Sequence, residues 1–238
     1  MVKQVRRKAD NIMRYGLSGP LCKLFASFLL AFTLLATAPA AHADDDTITI
    51  VALGDSLTAG YLLGPDEGFP EQLEKALGQA GHDNVKVLNA GVSGDTTAGG
   101  LARLDWAVGP QADAVIVELG ANDALRAIDP AVTRKNLDEI ISRLKERGLP
   151  VLLAGMFAPP NLGRDYGAAF NPIFAELAER EGLVFYPFFL EGVAGDRSLN
   201  LGDGIHPTAQ GVRIIVKGIL PEVEELIARV EEKQSAAH

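Results

Sequence analysis

The sequence predicts an α/β protein, a three-layer α/β/α sandwich around a parallel sheet of about five strands. Two observations carry this prediction. Short apolar runs recur along the chain, and the segments between them place apolar residues at helical spacing. Near-continuous apolar strands, rather than alternating ones, belong to a sheet covered on both faces, and strand–helix alternation makes such a sheet parallel.

In chain order, the first run is Ile48 to Leu53, followed by a helix face of Phe69, Leu73, Ala76 and Leu77. The second run is Val85 to Leu88 and the third is Ala114 to Leu119. Leu137, Ile140, Ile141 and Leu144 then share a helix face ahead of the fourth run, Val151 to Ala154. Phe170, Ile173, Phe174 and Leu177 are spaced as one further face before the fifth run, Leu183 to Tyr186. Val212, Ile215, Val216 and Ile219 form the last, and Pro221 is expected to interrupt that helix because it lacks an N–H and crowds the preceding turn. Ligands of such a sheet bind beyond the carboxyl ends of its strands.

Residues 1–43 read as an export signal rather than as part of this core. Lys3, Arg6, Arg7, Lys8, Arg14 and Lys23 make a basic leader, and Leu24 to Ala38 is an uncharged, mostly apolar run of 15 residues. Ala41-His42-Ala43 is a small-x-small cleavage pattern, so the mature chain is expected to be a single domain of residues 44–238. A membrane-spanning helix needs ~20 apolar residues, and no stable membrane insertion is expected after cleavage. The location implied is periplasmic or secreted.

Of the whole chain's 22 Lys+Arg and 31 Asp+Glu, removal of residues 1–43 takes six basic and one acidic residue, leaving a net charge of −14. Such a surface repels phosphate backbones and excludes nucleic acid as a partner. The single cysteine, Cys22, leaves with the signal, so the mature chain has neither disulfide nor thiol nucleophile.

Four histidines occur in the chain, and His206 is the one whose surroundings constrain it. In Asp203-Gly204-Ile205-His206-Pro207, Gly204 permits a left-handed bend and Pro207 steers His206 away from helical dihedrals. A carboxylate three residues before an imidazole, across such a turn, reaches one ring nitrogen and leaves the other outward. A helix-capping turn with an incidental histidine fits the same residues. Ser56, in Gly54-Asp55-Ser56-Leu57 directly after the first strand, is either a nucleophile at the carboxyl edge or a helix cap. Two further glycine-containing segments end the second and third strands, around Gly91 and Asn122. With the Ser56 N–H, the Gly91 N–H and the Asn122 amide make three donors that could converge on a developing oxyanion.

These blocks, in this order, resemble the SGNH (GDSL-type) hydrolases. The match comprises Gly54-Asp55-Ser56-Leu57, Gly91, Gly120-Ala121-Asn122-Asp123, and Asp203 with His206. Gly54 to Tyr61, Gly100-Leu101-Ala102-Arg103-Leu104 and Pro187-Phe188-Phe189 are similar to the bacterial periplasmic thioesterase/lysophospholipase/arylesterase subfamily. The resemblance implies a flavodoxin-like fold, Ser56 as nucleophile, His206 as base and Asp203 as its orienting acid. It also implies an oxyanion hole of Ser56, Gly91 and Asn122, and no metal or organic cofactor.

The activity implied is hydrolysis of small-molecule acyl esters and thioesters: aryl esters, lysophospholipids and acyl-CoA. Leu125, Ile128, Phe157 and Pro159 follow the third and fourth strands and are expected to contact the acyl chain. Met156 to Asn161 lacks the Arg-Leu-Pro of the subfamily, and Leu62 to Asp66 departs from its usual polar loop, so chain-length preference is left open. An SGNH acetylesterase acting on envelope polysaccharide is the alternative. One Trp and 4 Tyr give it few sugar-stacking platforms. A non-catalytic envelope binding protein fits poorly with an intact set of catalytic residues.

Overall fold

The computed structural model describes residues 47–236, so the expected export signal, residues 1–43, lies outside the described residues. Five parallel strands form one sheet in the order β2-β1-β3-β4-β5: β1 (Ile48–Gly54), β2 (Val85–Gly91), β3 (Ala114–Glu118), β4 (Val151–Ala154) and β5 (Val184–Tyr186). The helices are α1 (Ser56–Ala59), α2 (Phe69–Gln79), α3 (Thr97–Ala102), α4 (Leu104–Ala107), α5 (Ala121–Leu125), α6 (Pro130–Glu146), α7 (Arg164–Phe170), α8 (Pro172–Glu181) and α9 (Ala209–Ala236). Helices α2 and α9 pack together on one face, while α3, α6 and α8 cover the other, which makes the expected three layers.

β3 is buried at every position and β4 likewise, as central strands covered on both faces must be. β2, at an edge, alternates buried and exposed residues at its start, and this edge position explains why its apolar run is shorter than the strand. Pairing continues past Leu88 to the Gly54–Gly91 register, so both strands end level beneath the site. In this strand order the chain turns to opposite sides after β1 and β3, and the crevice between their carboxyl ends is where flavodoxin-like sheets bind ligands.

Two helical expectations need correction. The face of Phe170, Ile173, Phe174 and Leu177 is fully buried, but it belongs to two helices, α7 and α8, that meet at Asn171. Asn171 keeps helical dihedrals and donates its N–H to the Gly167 carbonyl (2.9 Å), whereas Pro172 has no N–H to continue the ladder. Pro221, by contrast, does not end its helix: α9 runs through it for 28 residues. Pro221 and Lys217 are exposed, so the carbonyl left without its helical donor faces water. The buried face resumes at Val223, Leu226, Ile227 and Val230, whose burial outweighs one lost hydrogen bond.

Candidate active site

Asp55, not Ser56, caps α1: its Oδ1 accepts the Leu57 N–H at 3.0 Å. This separates the two readings of Ser56, because its hydroxyl is free of capping duty and lies 2.9 Å from His206 Nε2. The opposite ring nitrogen, Nδ1, is 2.6 Å from Asp203 Oδ2. An ionised carboxylate only accepts, so Nδ1 carries the proton and Nε2 is left as the acceptor of the Ser56 hydroxyl. Asp203 Oδ1 accepts two backbone N–H groups, those of Ile205 (2.9 Å) and His206 (3.1 Å), and Gly204 takes the left-handed conformation with φ of 71°. An antiparallel bridge between Asn200 and Pro207 closes the loop, and Leu201 donates to the His206 carbonyl at 2.7 Å. Ser56, Asp203 and His206 are thus brought together as the sequence anticipates.

Asn122 lies at the same crevice, in α5, and its Nδ2 donates to Asp55 Oδ2 at 2.9 Å. The carboxylate therefore dictates which end of the amide is the nitrogen: Nδ2 spends one proton on Asp55, and its second is left for a ligand in the groove that Asn122 and Ser56 both line. Asp123, next in sequence and fully buried, accepts from the Thr97 N–H (2.8 Å) and the Thr133 hydroxyl (3.1 Å), which ties α5 to α3 and α6. The Ser56 N–H, at the first position of α1, has no intrahelical acceptor.

Gly91 differs from expectation. Its N–H donates to Asn89 Oδ1 at 3.0 Å, and it is not among the residues that line the groove beside Ser56. What demands glycine there is close approach of α1: a Cβ would sit 2.3 Å from the Ala59 nitrogen and 2.9 Å from the Asp55 oxygen.

Beneath these residues lies a polar layer to which the sequence reading assigned no role. Arg103, almost fully buried, pairs with Asp95 (Nε to Oδ2, 2.6 Å) and donates to the carbonyls of Ala90 and Gly54, each at 2.8 Å. One guanidinium so fastens the carboxyl ends of β1 and β2 to the loop leading into α3. Glu118, at the end of β3, accepts the Thr58 hydroxyl at 2.8 Å, and its other oxygen is buried without a hydrogen-bond partner. Burial first, and then the Asp55 charge, hold its carboxyl well above the usual range.

Burial likewise pushes Asp55 up to about 6, against the lowering pull of the Leu57 N–H and Asn122. The His206 hydrogen bond, with the Ile205 and His206 N–H groups, holds Asp203 down to about 2. The signs are opposite. Between pH 4 and 6 folded Asp55 keeps a proton that the unfolded chain has lost, so its effect on stability is a loss as pH rises through that window. Asp203 contributes stability that is fully present above about 4 and is lost as pH falls toward 2. A carboxyl-detected NMR titration is expected to give Asp55 an inflection near 6 and Asp203 none above pH 4. An Asp55 midpoint under 4 would remove burial as the controlling influence. Because protonated Asp55 no longer dictates the Asn122 orientation, kcat/KM on any ester substrate should also fall on acidification through about 6.

From Ser56 and His206 a groove of about 530 Å³ extends over Leu57, Leu125, Met156, Phe157, Pro159, Phe188, Leu190 and Ile205. Its size falls within the ~300–1,000 Å³ of small-molecule sites. Phe157 stacks on Phe188 with ring centroids 4.7 Å apart. Three of the four expected chain contacts, Leu125, Phe157 and Pro159, line it; Ile128 does not. Ala127, with φ of 49°, turns the chain after α5, and the Ile128 carbonyl is held by the Tyr166 hydroxyl at 2.8 Å. Trp106 and Tyr166 also lie off the groove.

Comparison with known proteins shows the family. A model described as the GDSL-like Lipase/Acylhydrolase family matches residues 52–214. The chain is 37% identical over 205 residues to Esterase TesA of Pseudomonas aeruginosa, an alignment covering 86% of this chain and 98% of that protein. It is 35% identical over 197 residues to Thioesterase 1/protease 1/lysophospholipase L1 of Escherichia coli, covering 82% of this chain and 91% of that one. Among solved structures, AlinE4, an SGNH-hydrolase family esterase, is 46% identical with a TM-score of 0.64, covering 75% of this chain and 96% of that one.

Proposed function

The chain belongs to the GDSL-like lipase/acylhydrolase family and is an ester-bond hydrolase, and we propose that Ser56, His206 and Asp203 carry its chemistry on acyl esters and thioesters. The 2.9 Å contact between the Ser56 hydroxyl and an imidazole already oriented by a carboxylate is the observation that carries this reading. His206 Nε2 takes the Ser56 proton as Oγ adds to the carbonyl carbon, and Asp203 steadies the imidazolium that results. The oxyanion is met by the Ser56 N–H and the free proton of the Asn122 amide. His206 then hands its proton to the leaving alcohol or thiol, the bond to the leaving atom breaks, and water repeats the cycle on the acyl-enzyme.

Support for an acyl chain as the substrate's recognised part comes from the groove, whose lining is mostly apolar, with Leu, Met, Phe, Pro and Ile side chains around a few polar ones. Residues 1–43 act, in this reading, as an export signal that delivers residues 44–238 to the periplasm or beyond. No helix among the described residues is long and apolar enough to cross a membrane.

The test is a substrate panel on protein lacking residues 1–43: p-nitrophenyl esters of increasing acyl length, acyl-CoA, lysophosphatidylcholine and acetylated sugars, with Ser56→Ala as control. Turnover is expected on the first three classes. Activity confined to acetylated sugars would replace the acyl-chain reading with that of a polysaccharide acetylesterase.

A further inference from the structure

Tyr61 sits against the imidazole on which this mechanism turns. Its ring centroid is 4.4 Å from that of His206, with the planes tilted by 38°. The main chain holds it there, since the Tyr61 N–H donates to the Ser56 carbonyl at 3.2 Å just beyond the left-handed turn at Gly60. Tyr61 does not line the groove, although Ser56 and His206 both do. The Tyr61 ring therefore meets His206 from outside the acyl groove. Tyr61 is 40% exposed, and Leu62 beside it is 76% exposed and held at φ of 59°, so both side chains face solvent here.

A leaving group must lie next to His206 Nε2, because that nitrogen returns the proton to it. With the acyl chain in the groove, the leaving group points the other way, alongside the tyrosine ring. We propose that Tyr61 forms a leaving-group subsite that favours flat aromatic alcohols over small aliphatic ones. This inference rests on the assignment of Ser56 and His206 above and concerns the half of the substrate that the groove does not hold. Ring-on-ring contact in offset or edge geometry supplies the preference, and the half-exposed position leaves room for the second ring.

Benzyl acetate and ethyl acetate share an acyl group and have leaving alcohols of similar basicity, so their relative reactivity reports recognition rather than chemistry. The ratio of kcat/KM for benzyl over ethyl acetate is expected to fall about 3- to 10-fold in Tyr61→Ala, the size of one aromatic pair, and to be retained in Tyr61→Phe. The same change in ratio is expected with butyrate esters, because the acyl groove lies elsewhere. A ratio unchanged in Tyr61→Ala overturns the proposal. If both rates fell together, with a displaced pH profile, Tyr61 would be acting through the orientation of His206 instead. Ser56→Ala, assayed in parallel, reports separately on the hydrolytic assignment, since its failure to lower either rate would overturn that assignment and leave the ratio to be read on its own.

Discussion

Ser56→Ala is expected to lower kcat on p-nitrophenyl butyrate by about 10⁶-fold, to the residual rate that binding and oxyanion donors sustain without a nucleophile. The size follows from the chemistry: among the described residues no other hydroxyl is placed within hydrogen-bond distance of His206 Nε2, so the acyl-enzyme path is lost rather than slowed. Stability should change by no more than about 0.5 kcal/mol, because Asp55 makes the cap and the serine hydroxyl supports no other element. Steady-state kinetics and urea unfolding on the same preparation check both halves. Retention of a tenth of the activity would contradict the assignment, and a large loss of stability would revive the serine as a structural residue.

Asn122→Ala is expected to cost ~2.7–4 kcal/mol in the barrier, or ~10²- to 10³-fold in kcat, with KM little affected. The amide meets charge that exists only once Oγ has added to the carbonyl, which is why the loss falls on kcat. The same substitution takes from Asp55 the Nδ2–H that lowers its pKa, so the Asp55 inflection should move upward from about 6. Kinetics at pH 8, where Asp55 is ionised in either protein, isolate the oxyanion contribution. A variant within threefold of the parent in kcat at that pH would exclude Asn122 from transition-state stabilisation.

The sheet was legible because each strand carries a short, mostly apolar run, and because strand and helix periods alternate without repeats. The break at Asn171 and the passage through Pro221 were not, since both depend on which side of a helix meets water rather than on the local sequence. Ser56 and Asn122 stood out in glycine-containing blocks at strand ends, and Asp203 with His206 in the Gly204–Pro207 turn ahead of the last helix. Asp55 could not, although it stands inside one of those blocks. Its partners are 67 residues away at Asn122 and 63 away at Glu118, and no periodicity reports such pairings. Arg103 is hidden for the same reason, bonding to a carbonyl 49 residues earlier. Gly91 was read as a donor because a glycine offers a bare N–H, whereas the packing shows that its missing side chain admits the backbone of α1. Ile128 was misplaced by a left-handed turn at Ala127, a conformation that an alanine in sequence does not announce.

A single chemical trap tests the convergence of these segments most directly. Protein lacking residues 1–43 is treated with a fluorophosphonate, and the adduct is located by intact mass and peptide mapping. One phosphonyl group per chain on Ser56 is expected, with activity lost in proportion and labelling slowed severely in His206→Ala. Complete inactivation with Ser56 unmodified, or stoichiometric labelling of another residue, would contradict the account.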